Sequence, residues 1–189
     1  MLDLLKSKIS AQAVRLFRTP LLRRFAVQRE ATAAVEFGIV AAPFIALTFA
    51  TMQTGIIFFA GQTLESAAAT AGRLVMTGQA QTQGWDAGQF KTQVCNAVTT
   101  MFNCQSSISI DVETYSSFAA VNLALPITNG TFNSSSLGYN PGGPGDIVVV
   151  RLYYQYPVYM NMLGLSNISG GYSLLAATAV FKNEPYAAS

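Results

Sequence analysis

The sequence contains 189 residues, of which 51% are hydrophobic and 11% charged, against about a quarter charged in an ordinary soluble domain. It has no histidine, the commonest general base and metal ligand, and only two cysteines, too few for a structural zinc site. No glycine-rich phosphate loop follows a strand pattern, and the basic residues cluster at the N-terminus away from aromatic platforms. Composition therefore argues against a cofactor site and nucleic-acid binding, and favours a membrane-anchored protein.

The charges are divided unevenly along the chain. Residues 1–30 carry seven basic and two acidic side chains, a net charge of +5, whereas residues 31–189 carry four and seven, a net charge of −3. Lys and Arg beside a membrane helix remain on the cytoplasmic side. The asymmetry predicts a cytoplasmic N-terminus and an exported C-terminal region.

One apolar stretch is long enough to cross a membrane. The 24 residues from Phe37 to Ala60 contain no charge and, as a helix, span about 36 Å, against about 30 Å for the hydrocarbon core. Glu36 stands at the entrance, where a carboxylate needs a partner. The residues themselves offer one arrangement, in which Glu36 lies at headgroup depth and pairs with Arg29 or water.

The helix is predicted to continue beyond the membrane. Four small or aliphatic residues repeat on one face, namely Leu64, Ala68, Ala71 and Val75. A stripe of this kind favours close approach of another helix, and we expect it to contact a partner subunit. The alternative is that the alanines are simply good helix formers. Gly78 offers a stop signal.

A second helix is predicted from Ala87 to Phe102. Asp86 and Gln89 form a capping-box pattern, and Trp85 and Phe90 have the spacing of a hydrophobic staple. The apolar face expected to enter the core consists of Phe90, Val94, Ala97, Val98 and Met101. The two cysteines of the chain, Cys95 and Cys104, lie in the exported part, where they either form a disulfide or remain separate buried thiols.

The rest of the chain predicts strands. Apolar and polar residues alternate from Ile108 to Glu113, as in a half-buried antiparallel strand. A loop rich in Asn, Ser, Gly and Pro follows from Thr128 to Asp146. Ile147–Pro157 is the strongest strand pattern, and Tyr172–Lys182 is its expected antiparallel neighbour.

These elements predict an α+β fold. A single long N-terminal transmembrane helix extends into a small exported domain with a second helix and a three- or four-stranded antiparallel sheet. The expected divisions are a basic cytoplasmic leader over residues 1–31, the transmembrane helix and its extension over 32–78, and the exported domain over 79–189.

The stretch R-E-A-T-A-A-V-E-F-G-I-V-A-A-P resembles the start of TadE-like proteins, which are membrane proteins of tight-adherence pilus systems. Val35-Glu36-Phe37 and Pro43 match that pattern, and the ending F-K-N-E-P-Y, from Phe181 to Tyr186, is similar to the family's C-terminal signature. The resemblance implies a pilin-like fold and a structural or assembly role, as a minor pilin or pseudopilin.

The same resemblance implies roles for residues at the helix start. A prepilin peptidase would cut between Ala31 and Thr32, which leaves Glu36 as the fifth residue and lets it meet the amino group of a neighbouring subunit. Pilin-type peptidases usually require Gly where this chain has Ala31, so processing and an unprocessed assembly factor both stay open. The implied partners are membrane lipid, other pilins or pseudopilins and the inner-membrane assembly platform, with no cofactor.

Two other functions would suit an anchored, exported domain. An anchored enzyme would need a polar cluster, and Asp111 and Glu113 project from one face of a strand, but two such acids are more often solvated; we expect no enzyme. An anchored adhesin would use the loop from Thr128 to Asp146 and four tyrosines, which are more often core residues: Tyr153, Tyr154, Tyr156 and Tyr159.

Overall fold

The computed structural model describes residues 29–97, 103–159 and 161–186. The predictions for the leader, residues 1–28, and for positions 98–102 of the second helix, with Val98 and Met101, lie outside these ranges. The chain divides into two compact units between Phe49 and Ala50. The helices are α1 (Arg29–Met76), α2 (Gln79–Thr82), α3 (Ala87–Ala97) and α4 (Cys104–Ser107), and the strands are β1 (Ile108–Tyr115), β2 (Ile127–Thr128), β3 (Thr131–Phe132), β4 (Ile147–Pro157) and β5 (Tyr172–Lys182). Single 3₁₀ turns occur at Phe118–Ala120, Ser134–Ser136 and Asn161–Leu163.

The long helix α1 contains 48 residues and includes Pro43. Among the described residues, this is the helix that is long and apolar enough to cross a membrane. It ends at Met76, and Gly78 then adopts the left-handed conformation with φ 77°, which only glycine enters without cost. The predicted long helix and its stop at Gly78 are therefore confirmed.

The main sheet has three antiparallel strands in the order β1-β4-β5. Asp111 of β1 is opposite Arg151 of β4, which in turn is opposite Thr178 of β5. The predicted strand bounds of β4 and β5 agree with the structure, because β-branched and aromatic residues fill both faces of the central strand. The α+β architecture with an antiparallel sheet is confirmed.

One face of this sheet packs against the distal half of α1. Leu64, Ala68, Ala71 and Val75 are all buried in the core with Val150 and its neighbours. A Cβ placed on Gly72 would lie 3.1 Å from both Ala179 Cβ and Phe181 Cε1, so helix and strand are in close contact. The expectation that this stripe contacts a partner subunit is wrong. Its small side chains allow the helix to approach the sheet of its own chain.

Helix α3 closes one side of the core. Its start carries the predicted capping box, since the Asp86 amide donates to Gln89 Oε1 at 3.0 Å and the Gln89 amide donates to Asp86 Oδ1 at 2.7 Å. Phe90 and Val94 are fully buried. Near its other end, Cys95 forms a disulfide with Cys104 at the start of α4, with a Cα–Cα distance of 5.6 Å.

The region predicted as loop contains a small hairpin. Strands β2 and β3 pair through Asn129 and Gly130, whose φ angles of 52° and 74° are those of a type I′ turn. Asn-Gly is the strongest short hairpin signal, and it was visible in the sequence. The hairpin supports a second cluster around Tyr153, on the sheet face opposite α1.

Candidate functional site

The part of α1 before the core exposes apolar side chains, on every side up to Phe49 and beyond it on the sides away from the buried Ala50 and Gln53. Phe37 is 75% exposed and Phe58 is 71% exposed, although both are large and apolar. Exposed large hydrophobic residues follow one another through this part of the helix, namely Val35, Phe37, Ile39, Val40, Phe44, Ile45, Leu47, Phe49, Met52, Ile56, Phe58 and Phe59. A helix that is apolar all round belongs in lipid or among other apolar helices.

Two threonine hydroxyls of this stretch are satisfied within the helix. The hydroxyl of Thr48 donates to the Phe44 carbonyl, and that of Thr54 donates to the Ala50 carbonyl, both at 2.9 Å. Hydroxyls bonded in this way need no water, which suits a hydrocarbon environment. The local chemistry of the helix is therefore compatible with a membrane segment.

The family-derived site residues all lie on the first turns of α1. Ala31 and Thr32 have helical backbone, and Glu36 is exposed one turn later. Glu36 and Pro43 are seven residues apart and so lie on the same side of the helix. The structure thus brings the carboxylate and the proline to one face, with Phe37 beside them. Cleavage and subunit pairing at these residues stay predictions.

The C-terminal motif locks the distal end of α1 to the sheet. The Glu184 amide donates to the Met76 carbonyl at 2.9 Å, and the ring of Tyr186 lies against Gly78. Asn183 is 3% exposed and donates through Nδ2 to the carbonyls of Pro141 and Gly143. The F-K-N-E-P-Y ending therefore serves as a clasp between helix, sheet and loop, a role that the sequence alone did not indicate.

A buried ion cluster lies on the opposite face of the sheet. Arg151 Nη2 is 2.6 Å from Asp111 Oδ2 and 2.6 Å from Glu113 Oε2. The Asp111 side chain is 2% exposed and that of Glu113 is 39% exposed. The expectation that both acids are solvated is wrong for Asp111, because residues of the segment after β1 cover this face of the strand.

The cluster ties that covering segment to the sheet. Arg151 Nη1 donates to the Asn122 carbonyl at 2.9 Å, and the Gly138 amide donates to Asp111 Oδ1 at 2.8 Å. A cleft of about 220 Å³ opens beside these residues and is also lined by Tyr115 and Tyr153. These hydrogen bonds attach the segment between β1 and β4 to the sheet at two points, Asn122 and Gly138.

Its electrostatics are those of a structural ion pair. Burial by itself lowers the pKa of Arg151, but the negative charge of Asp111 and the other acidic neighbours raises it above the ordinary value. Both Asp111 oxygens are engaged, and Glu113 Oε2 also accepts from the Tyr115 hydroxyl at 2.6 Å. Both oxygens of Asp111 and Oε2 of Glu113 are thus engaged within the cluster, which favours a structural role.

The four tyrosines that an adhesin would use differ in their exposure to solvent. Tyr153 is 2% exposed and its ring centroid is 5.5 Å from that of Phe132. Tyr154 and Tyr156 pack against the main core, whereas Tyr159 is 81% exposed. The structure therefore assigns three of the four to packing.

Among known proteins, the family model described as TadE-like protein matches residues 31–73. Comparisons with curated proteins and with solved structures found no match. The matched segment covers the apolar helix with Glu36 and most of the stripe that packs on the sheet. Residues 31–73 are thus a TadE-like segment, and the resemblance first indicated by Val35-Glu36-Phe37 is confirmed for this part of the chain.

Proposed function

We propose that this protein is a membrane-anchored structural or assembly component of a tight-adherence pilus, of the minor pilin or pseudopilin type. TadE-like proteins are associated with such pili, and the TadE-like segment here is the helix that exposes apolar residues all round. That exposed helix is the observation that carries the proposal, because in a water-soluble protein such a surface would be covered.

The proposed arrangement follows the charge asymmetry. Residues 1–31 lie in the cytoplasm, residues 32–78 form the transmembrane helix and its extension, and residues 79–189 form an exported domain at the bacterial inner membrane or in a surface pilus. The disulfide between Cys95 and Cys104 supports export, since such bonds persist in oxidising compartments. Its partners are lipid, other pilins or pseudopilins and the assembly platform.

In this proposal Glu36 positions one subunit against the next. A carboxylate entering hydrocarbon is costly unless a cation neutralises it. A neighbouring subunit cleaved by a prepilin peptidase between Ala31 and Thr32 would present an α-amino group at a matching depth. The salt bridge would form only when subunits are in register, so the cost of an unpaired charge would select the correct packing.

The test compares Glu36→Gln with Glu65→Gln in the native host. Both residues are exposed on α1, but Glu65 lies in the half that packs on the sheet. We expect Glu36→Gln to reduce pilus number at least about tenfold, since removing one member of a buried ion pair costs about 3 kcal/mol. Glu65→Gln should assemble normally. Normal piliation with Glu36→Gln would refute the proposed pairing.

The N-terminus of the mature protein separates a processed subunit from an unprocessed, anchored assembly factor. Intact mass and N-terminal sequencing of protein from host membranes give the answer directly. A start at Thr32 favours a filament subunit with Glu36 as the fifth residue. A start at Met1 favours the assembly factor and excludes pairing through a new amino group at Thr32.

A further inference from the structure

The outer edge of β5 contains backbone groups that have no partner among the described residues. The Asn183 amide donates to the Asp146 carbonyl, one residue beyond the end of β5 and in the same register as its pairing with β4. The backbone N–H and C=O groups of odd-numbered residues of β5 therefore face β4. Even-numbered residues therefore direct their N–H and C=O groups outward. Leu174 shows this directly, because its amide and carbonyl are both bonded to the Asn167 side chain.

Both ends of this outer edge are occupied within the chain. At one end, the Tyr172 carbonyl accepts from the amides of Asn167 and Ile168. At the other end, the Glu184 amide donates to Met76. The part of β5 between these two bonded ends runs from Ala176 to Lys182, and we call it the open edge.

The open edge has no protection of the kind that soluble proteins use. Its outward-directed residues are Ala176, Thr178, Val180 and Lys182, all of them exposed. No proline, charge or bulge interrupts β5 before Lys182, and such features normally block strand edges. On β1, by contrast, Val112 on the outer edge bonds to Gly138 and Asn140 of the same chain. In the described part of the sheet, the outer edge of β1 is thus bonded at Val112, whereas that of β5 is open from Ala176 to Lys182.

We propose that the open edge binds an extended, uncharged strand of a different exported pilus subunit. Outward N–H and C=O groups in a row are satisfied by a strand lying alongside, which is the mode of recognition called β-strand addition. Small side chains at Ala176 and Thr178 leave room for a neighbouring backbone, and the absence of charge up to Lys182 matches an uncharged segment. This inference rests on the proposed function, since it requires other exported subunits.

A second copy of the same chain does not fit this edge. In a closed twofold pair the open edge of one copy would meet the open edge of the other, so β5 would pair with β5, antiparallel, about a twofold axis perpendicular to the sheet. That rotation would reverse the segment of α1 between Leu64 and Val75, which packs on the sheet. Two copies inserted in one membrane with the same topology cannot have reversed helices.

Amide hydrogen exchange of the full chain tests the edge directly. In detergent-purified protein, the amides of Ala176, Thr178 and Val180 should exchange freely. In the assembled pilus fraction from the host, they should exchange at least about tenfold more slowly, because each gains a backbone hydrogen bond. Ala177 and Ala179, whose amides face β4, serve as controls that are protected in both samples. Equal exchange at Thr178 in both samples would overturn the inference.

Variants at Thr178 complete the test. Thr178→Pro removes an outward N–H and no bond to β4, so the fold should persist while assembly falls. Thr178→Lys keeps the N–H but adds a charge to the edge and should also reduce assembly, whereas Thr178→Ser should behave as wild type. If Trp85 fluorescence shows that Thr178→Pro misfolds, assembly of Thr178→Lys is the test of the open edge. Normal assembly of Thr178→Lys would overturn the inference.

Two further outcomes separate this inference from the proposed function. Loss of pili when the whole chain is deleted, together with normal assembly of Thr178→Lys, would refute only the edge. Unchanged pili after deletion would refute the pilus role itself. A Thr178→Cys variant should not form disulfide-linked dimers in membranes; abundant dimers would show self-pairing and overturn the choice of partner.

Discussion

The ring of Tyr186 lies directly on the backbone of Gly78, so that a Cβ at position 78 would overlap the Tyr186 ring. Gly78 terminates α1, and Tyr186 ends the C-terminal motif 108 residues later (186 − 78). The contact joins the end of α1 to the residues that follow β5. It gives the sheet a fixed attachment to the helix segment that it packs against.

Gly78→Ala should therefore destabilise the protein more than Gly84→Ala. Both glycines have positive φ, 77° and 62°, but a Cβ at Gly84 meets nothing within 4 Å. The left-handed conformation alone costs about 1 kcal/mol for alanine, and the clash with Tyr186 adds to it at position 78. Urea unfolding of the full chain in mild detergent, followed by Trp85 fluorescence, measures the difference. Equal midpoints for the two variants would contradict the clasp.

Arg151→Met should cost about 3 kcal/mol of unfolding free energy, because it leaves the buried carboxylate of Asp111 without its cation. Glu113→Gln should cost less than about 1 kcal/mol, since Glu113 is 39% exposed. The double variant Arg151→Met with Asp111→Leu should recover most of the loss. The same urea titration provides the measurement. A double variant no more stable than Arg151→Met would show that the ion pair itself is not what matters.

Replacing Cys95 and Cys104 together by alanine should lower the free energy of unfolding by about 2.5 kcal/mol, from the entropy of closing a loop of this length. The sequence separation of the two cysteines is 9 residues. Treatment of the wild type with a reductant should reproduce the effect, and the double variant should not respond to it. A reductant-insensitive wild type would argue against the disulfide.

The stability of the protein should fall in alkali, with Tyr139 as a main contributor. Burial, helped by the negative charge of Asp86, raises the pKa of Tyr139 from 10.0 to about 12. The folded state therefore holds this proton more tightly, so the contribution is complete below about pH 10 and is lost as the pH rises towards 12.

Tyr139→Phe should reduce this alkaline loss while keeping the ring near Phe90, whose centroid is 5.4 Å away. Tyr159→Phe is the matched control, because it also removes one tyrosine hydroxyl but from a side chain that is 81% exposed. The midpoints of urea unfolding, measured between pH 8 and pH 12, show whether the alkaline loss of stability is reduced. Identical profiles for Tyr139→Phe and wild type would exclude Tyr139 as the titrating group.

The sequence by itself determined the elements whose signals are local. The uncharged run from Phe37 to Ala60 specified a long helix, the Asp86–Gln89 capping box specified the start of α3, and periodicity specified β4 and β5, because each signal involves residues close together in the chain. The family resemblance was likewise carried by contiguous residues around Glu36.

Only the tertiary structure decided which partner each surface meets. The stripe around Ala68 and Ala71 had the same pattern whether it faced another subunit or the chain's own sheet, and packing density against Ala179 settled this. Asp111 was expected in water because strand alternation says nothing about a segment that folds over the polar face. The open edge, too, depends on which strand ends the sheet, since hydrogen bonding between distant strands is a property of the whole fold.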